Sequence, residues 1–189
     1  MLSEICEFTS GYPLSRIIEV QDVEAPSYFL YGQAELQKDL NGHSNTLLET
    51  RKILTWDKVK VLESADVVFG LLSGTATVIS SQHSGYLFTQ NYIKLILPNS
   101  IDSQFLVYML NENKFIKKQL QESVQGSSVL KYTLAQLKGL RLPDLPPVVK
   151  QKIIGDVYFK QKKLQTLRCE AAEFESMKVL GMLEKETAQ

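Results

Sequence analysis

The chain has 189 residues, 44% hydrophobic and 22% charged, the balance of a globular protein with one good-sized core and room for one extended element. Its 21 basic and 21 acidic residues cancel, and residues 1–145 carry 13 basic against 15 acidic (net −2), so the totals do not advertise a nucleic-acid binder. No apolar run approaches the ~18 residues of a membrane span, no basic-then-apolar leader opens the chain, and Cys6 and Cys169 lie too far apart to suggest a disulfide framework; a cytoplasmic location is expected.

In chain order, residues 1–20 read as a short amphipathic start (Leu2, Ile5, Cys6, Phe8), the turn Ser10-Gly11-Tyr12-Pro13 and an apolar run from Ile17 to Val20. Tyr12 and Arg16 flank that turn, and both are side chains suited to bases and phosphates. Tyr28-Phe29-Leu30-Tyr31 is an aromatic strand, and the polar stretch 37–46, with Asn41-Gly42, is expected to be a turn or exposed loop. Arg51, Lys52, Lys58 and Lys60 form the densest basic patch of the first 145 residues, with Trp56 among them expected in the core. The alternation Lys58-Val59-Lys60-Val61 suggests a half-exposed strand.

Residues 65–97 are the most strand-like: Val67-Val68-Phe69, Thr77-Val78-Ile79, Tyr86-Leu87-Phe88 and Tyr92 to Leu97, punctuated by Gly70, Gly74 and Gly85. β-Branched and aromatic residues dominate them, which predicts a β-meander. Asp102 then caps a helix with Phe105, Leu106, Met109, Leu110, Ile116 and Leu120 on one face. A loop over 122–128 follows, then a capping box from Thr133 and Gln136, then the extended piece Leu140-Arg141-Leu142-Pro143. A sheet followed by helices packed on it is an α+β arrangement.

From Leu145-Pro146-Pro147 the chain runs on with no further proline. Ile153, Val157, Leu164, Leu167, Ala171 and Phe174 keep one apolar seam on one helical face. About forty residues at ~1.5 Å each make a rod of roughly 60 Å. One small domain does not cover such a stripe, so the rod is expected to pack as a coiled coil against another long helix. A helix folded back on its own domain is the alternative. The division is therefore a β-rich domain over 1–144 and a long dimerisation helix over 145–189.

Catalytic chemistry is not offered. His43 and His83 stand alone, as surface loop histidines usually do, and neither they nor the cysteines have metal-ligand spacing. Gly-x-Ser-x-Gly and Gly-x-Gly-x-x-Gly are absent, and the Gly70–Gly74 spacing is followed by Thr75-Ala76 where a phosphate loop needs Lys and then Ser or Thr.

One ordered set of motifs remains. It comprises Ser10-Gly11-Tyr12-Pro13, Ala65-Asp66-Val67-Val68-Phe69 with Ser73-Gly74, Gln90-Asn91-Tyr92-Ile93, Phe105-Leu106, Gly126-Ser127, and Leu145-Pro146-Pro147 leading through Gln151 to Ile153. Together these residues resemble one half of a specificity (S) subunit of type I restriction–modification systems, whose members carry two recognition domains and two spacer helices. Ala65 stands where that family usually has glycine, and the hairpin lacks the customary second glycine.

The resemblance implies a non-catalytic, cofactor-free subunit that reads one half of a split target in double-stranded DNA. It also implies a helix that spaces the halves and docks methyltransferase and restriction subunits, with a homodimer or a second half-subunit completing the assembly. Sequence reading needs base-edge contacts plus phosphate contacts that fix register. Loops at one end of a sheet suit both, and the candidates are Ser10, Tyr12, Arg16, Arg51, Lys52, Ser73, Thr75, Gln90 and Asn91. A non-catalytic interaction module, dimerising through a coiled coil without DNA binding, is the competing reading.

Overall fold

Val67, Val68 and Phe69 are buried on both faces, which places their strand in the middle of a sheet with cores on either side. The computed structural model describes residues 1–42, 50–122 and 131–187. Strands β1 (Glu7–Ser10), β4 (Val67–Gly70), β5 (Thr75–Val78) and β7 (Tyr92–Ile96) form an antiparallel sheet in the order β1-β7-β4-β5. A second sheet, β3-β2-β6, is built from β2 (Ser27–Tyr31), β3 (Lys52–Leu54) and β6 (Leu87–Phe88), with β2 and β6 parallel.

Helices α2 (Ser103–Glu112), α3 (Lys114–Glu122) and α4 (Leu134–Gly139) cover one side of the first sheet through Phe105, Leu106, Leu110, Ile116, Leu120 and Leu137. On the other side Val68 meets Tyr31, Leu36, Leu62, Ile79 and Phe88, which fill the space between α1 (Gln33–Asn41) and the second sheet. The arrangement is α+β. α5 (Val148–Thr187) then runs for 40 residues, beginning one residue after Pro147.

Local signals hold where they are strong. Asp102 Oδ1 accepts the Phe105 N–H at 2.9 Å, and Thr133 and Gln136 form the reciprocal capping box. The helix of residues 102–120 is two helices, because Asn113 leaves the helical conformation and its Oδ1 accepts from the N–H of Phe115 (3.0 Å) and Ile116 (3.3 Å). The stretch 37–46 is a helix up to Asn41: Glu35 returns its carboxylate to the Gly32 N–H, Gly42 closes the far end, and Leu36 and Leu40 are buried between.

The meander is broken too. β6 leaves for the second sheet, and β7 returns between β1 and β4. Residues 58–61 alternate in exposure but form no strand; only Val61 bridges, to Leu87. Trp56 is 62% exposed, its indole N–H donating to Asp22, so it does not belong to the core. His83 is 6% exposed and bonded through Nδ1 to Asp39 Oδ1 at 2.7 Å, so it is no surface loop residue. His43, Gly126-Ser127 and residues 123–128 of the expected loop lie outside the described residues.

The first turns of α5 pack on the domain through the face opposite the seam. Gly155 faces α2, where an added Cβ would sit 2.6 Å from the Phe105 backbone nitrogen, a contact that no other residue allows. One turn earlier the buried Gln151 accepts from the Asp102 N–H (3.0 Å) and donates to the carbonyls of Ser100 (3.3 Å) and Pro146 (2.8 Å). One turn later Tyr158 joins the main core, donates to Glu112 (3.1 Å) and accepts from Asn111 (3.2 Å). Lys162 reaches Glu112 at 3.2 Å. Ile153, Val157, Leu164, Leu167, Ala171 and Phe174 lie on the exposed side of the same helix.

Candidate nucleic-acid interface

The first sheet places three turns at one end. Ser10 closes β1 opposite Ile93, the residues before Tyr92 lead into β7, and the Gly70–Thr75 hairpin joins β4 to β5. Backbone hydrogen bonds stitch these turns side by side. Gly11 N–H donates to Tyr92 O (3.3 Å), Tyr12 N–H to Phe88 O (3.1 Å) and Gln90 N–H to Tyr12 O (3.0 Å). Leu71 N–H donates to Asn91 O, and Tyr132 N–H to Leu71 O, both at 2.8 Å. At Gly11 an added Cβ would fall 2.3 Å from the carbonyl oxygens of Phe88 and Thr89, so only glycine lets the first turn lie this close to the second.

This row carries Ser10, Tyr12, Gln90, Asn91, Ser73 and Thr75, six of the nine candidate residues, and Arg16 follows four residues after Tyr12. Gln90, Ser73 and Arg16 are exposed; Ser10, Tyr12, Thr75 and Asn91 are half-buried. Arg51 and Lys52 are not brought to the row. They sit on the far side of β2 from β6, two strand spacings or about 10 Å away. The Arg51 guanidinium is ion-paired with Glu19, and Lys52 lies 5.9 Å over the Phe29 ring.

Two cations outside the nine candidates stand at the row instead. Lys60 Nζ donates to the Ser10 carbonyl (3.2 Å) and lies 5.8 Å over the Tyr12 ring. Lys131 Nζ donates to Asn91 Oδ1 (3.2 Å). Lys60 belonged to the basic patch, but no sequence signal ties Lys131 to Asn91, forty positions away.

Charge is sorted along the sheet. The segments 10–16, 70–75, 88–92 and 131–134 contain no aspartate or glutamate. Acidic side chains gather at the opposite end, where Glu7 opens β1, the turn Glu63–Asp66 precedes β4, and Asp102 follows β7. Net neutrality therefore hides a polar distribution. These segments offer donors between lysines, and Glu112, which lines the cleft beside the hairpin, is paired with Lys117 and Lys162, so the edge suits a polyanion.

Among the described residues no group of three His, Cys, Asp or Glu side chains could hold a metal ion. A buried polar group is formed by Tyr31, Asp39 and His83, in which Asp39 also accepts from the Tyr31 hydroxyl at 2.9 Å. Burial, with Asp39 beside it, pushes the Tyr31 phenol far up, so that hydroxyl stays a donor. Beside the hairpin, a cleft of about 400 Å³ lies between Ser73, Thr75, Asn111, Glu112, Tyr158 and Lys162, at the joint between the row and α5.

Residues 3–167 match the family model described as the type I restriction modification DNA specificity domain. The chain belongs to this family. Solved structures share the fold of this specificity domain. The HsdS subunit from Thermoanaerobacter tengcongensis is 19% identical with a TM-score of 0.57, over 90% of this chain and 38% of that one. A chain from a structure concerned with complex assembly and conformational transition of the type I R-M system is 21% identical with a TM-score of 0.62, over 97% of this chain and 42% of that one. The specificity domain described here thus spans about two fifths of the length of these chains. The search of curated proteins returned no match. Among the described residues no helix is long and apolar enough to cross a membrane.

Proposed function

We propose that this chain is a non-catalytic subunit that reads one half of a bipartite DNA target with the stitched row of turns. Its helix α5 docks methyltransferase subunits and pairs with a second recognition half. The observation that carries the DNA reading is the row itself: hydrogen-bonding side chains held on turns that are bonded to one another, free of acidic residues and flanked by Lys60 and Lys131. Such a surface holds its donors in place before binding, so little ordering entropy is lost when DNA arrives. The overall charge balance, which favours a scaffold without DNA binding, counts for less once the charges separate by sheet end.

Pairing through α5 rests on its unpaired face. The helix seats Gln151, Gly155 and Tyr158 on its own domain and leaves Ile153, Val157, Leu164, Leu167 and Phe174 exposed on the other side. If the second half is another copy, a two-fold axis relates the two rows, because identical surfaces must meet in a closed dimer. The target is then an interrupted palindrome with the gap set by the rods.

The test is duplex binding by the full chain, followed by fluorescence anisotropy across a salt series. Lys60→Ala is expected to weaken binding to every sequence and to lower the slope of log K against log salt by about one. Replacing Arg51 and Lys52 with alanine is expected to have the smaller effect, since both stand off the row. Equal binding of wild type and Lys60→Ala at all salt concentrations would place the interface elsewhere. Methylation mapping of DNA in cells carrying the protein with its methyltransferase reads the half-sites directly, and two unlike halves would replace the homodimer with a mixed pair.

A further inference from the structure

Asn91 lies in the middle of the row and is tied there from three directions. Its N–H faces Thr89 Oγ1 (3.4 Å), its carbonyl accepts the Leu71 N–H (2.8 Å), and its side-chain Oδ1 accepts from Lys131 Nζ (3.2 Å). An ammonium has donors only, so the amide oxygen must be the atom that faces it, and chemistry sets the orientation of the amide. Lys131 is itself anchored, because the next residue donates its backbone N–H to the Leu71 carbonyl at 2.8 Å. Among the described residues the Asn91 amide nitrogen has no acceptor, which leaves two N–H bonds for a ligand.

An unconstrained asparagine in the major groove suits adenine, accepting from N6 while donating to N7. Asn91 has its accepting atom turned to a cation, and that cation repels the positively polarised N6 amino group. Guanine presents two acceptors on the same edge, N7 and O6, and no donor. The Asn91 amide N–H₂ and the Lys131 ammonium together supply two neighbouring donors that match them. Building on the DNA reading above, we infer that Asn91 and Lys131 act as one unit that selects guanine and excludes adenine at one position of the half-site. Asn91 touches the base edge; Lys131 both fixes the amide and contributes a donor.

The experiment is selection of duplexes randomised over the half-site by the full chain, with sequencing of the bound DNA for wild type, Lys131→Met, Lys131→Arg and Asn91→Ala. Wild type is expected to enrich one G·C position that Lys131→Met relaxes toward adenine, with roughly a tenfold loss of discrimination. Asn91→Ala should relax that same position alone, and Lys131→Arg, which keeps its donors, should retain guanine. Thermal melts of the four proteins check that each is folded. A motif in which neither variant relaxes a G·C position overturns the inference. So does a Lys131→Met protein that binds all sequences evenly more weakly with a salt slope lower by about one, since that makes Lys131 a phosphate contact. A wild type that binds DNA but enriches no motif refutes base reading itself, and the inference with it.

Discussion

Ala65 is a single residue in an uncommon conformation, and it coincides with a departure from the family pattern. It has φ = 72°, in the left-handed region, and its N–H donates to the Ile79 carbonyl at 2.9 Å in the turn that leads into β4. The region costs a residue with a Cβ about 1–2 kcal/mol and glycine almost nothing. Family members usually carry glycine here, and the turn keeps the geometry that glycine favours. Ala65→Gly should therefore stabilise the protein. Part of the gain is cancelled by the greater freedom of glycine in the unfolded chain, leaving about 1 kcal/mol or less and a rise in Tm of about 2–4 °C. Differential scanning calorimetry measures it, and an unchanged or lower Tm would mean that Ala65 is not strained.

At the scale of elements, the joint between α2 and α5 decides where the rod points. Gly155 permits backbone contact, while Gln151, Tyr158 and Lys162 place polar bonds on either side of it. Asn111 extends the joint to the sheet by bonding both the N–H and the carbonyl of Ala76 on the edge strand β5 (2.8 and 2.9 Å). The turn carrying Thr75 and the rod are thus linked through two side chains, Asn111 and Tyr158. Gly155→Val would drive a side chain into the Phe105 backbone, and overpacking of this kind costs about 1–3 kcal/mol. Urea denaturation should show the loss as a lower midpoint.

The same joint has a pH signature. Burial raises the Glu112 carboxyl, but hydrogen bonds from Lys117 and Lys162 outweigh it and hold the group below the ordinary carboxylate range. A depressed folded-state pKa means that its contribution is full above the unfolded-state value near 4.3 and is lost as pH falls through the folded one. The joint should loosen only in acid.

For the whole molecule, the proposed pairing rests on the exposed face of α5. Leu164→Glu leaves the monomer almost untouched, because Leu164 is already 42% exposed. In a paired rod the same change buries an uncompensated charge, at a cost of about 3–5 kcal/mol. Light scattering at micromolar concentration should show a dimer for wild type and a monomer for the variant; a monomeric wild type would refute pairing of two copies. Spacing is tested by deleting residues 171–177, seven consecutive exposed positions of α5. Seven residues at ~1.5 Å shorten the rod by about 10 Å, or about 3 base pairs of duplex at ~3.4 Å each. The half-sites should remain and the gap between them contract, as methylation mapping would show.

What was legible in the amino acids was everything with a short-range cause. Helix ends at Asp102 and Thr133, the break of helical character before Pro147, the strand character of Val67–Phe69 and the apolar stripe of α5 all follow from neighbours a few positions apart. The ordered motifs were legible as a family likeness for the same reason, since each is local. Tertiary structure decided the rest. Residues 58–61 alternate like a strand, yet only Val61 finds a bridging partner, Leu87. Helix 33–41 depends on Leu36 and Leu40 finding buried places, one in each of the two cores beside the first sheet. Trp56 and His83 exchanged their expected places because burial follows from what packs above a residue, and a lone residue type carries no such information. The candidate interface shows the division most sharply: six candidate residues were visible as turn residues, whereas Lys131 reached Asn91 only through the folding of the chain. A hydrogen bond between positions forty apart has no periodicity to betray it, and only the stitched backbone of the turns brings the two side chains together.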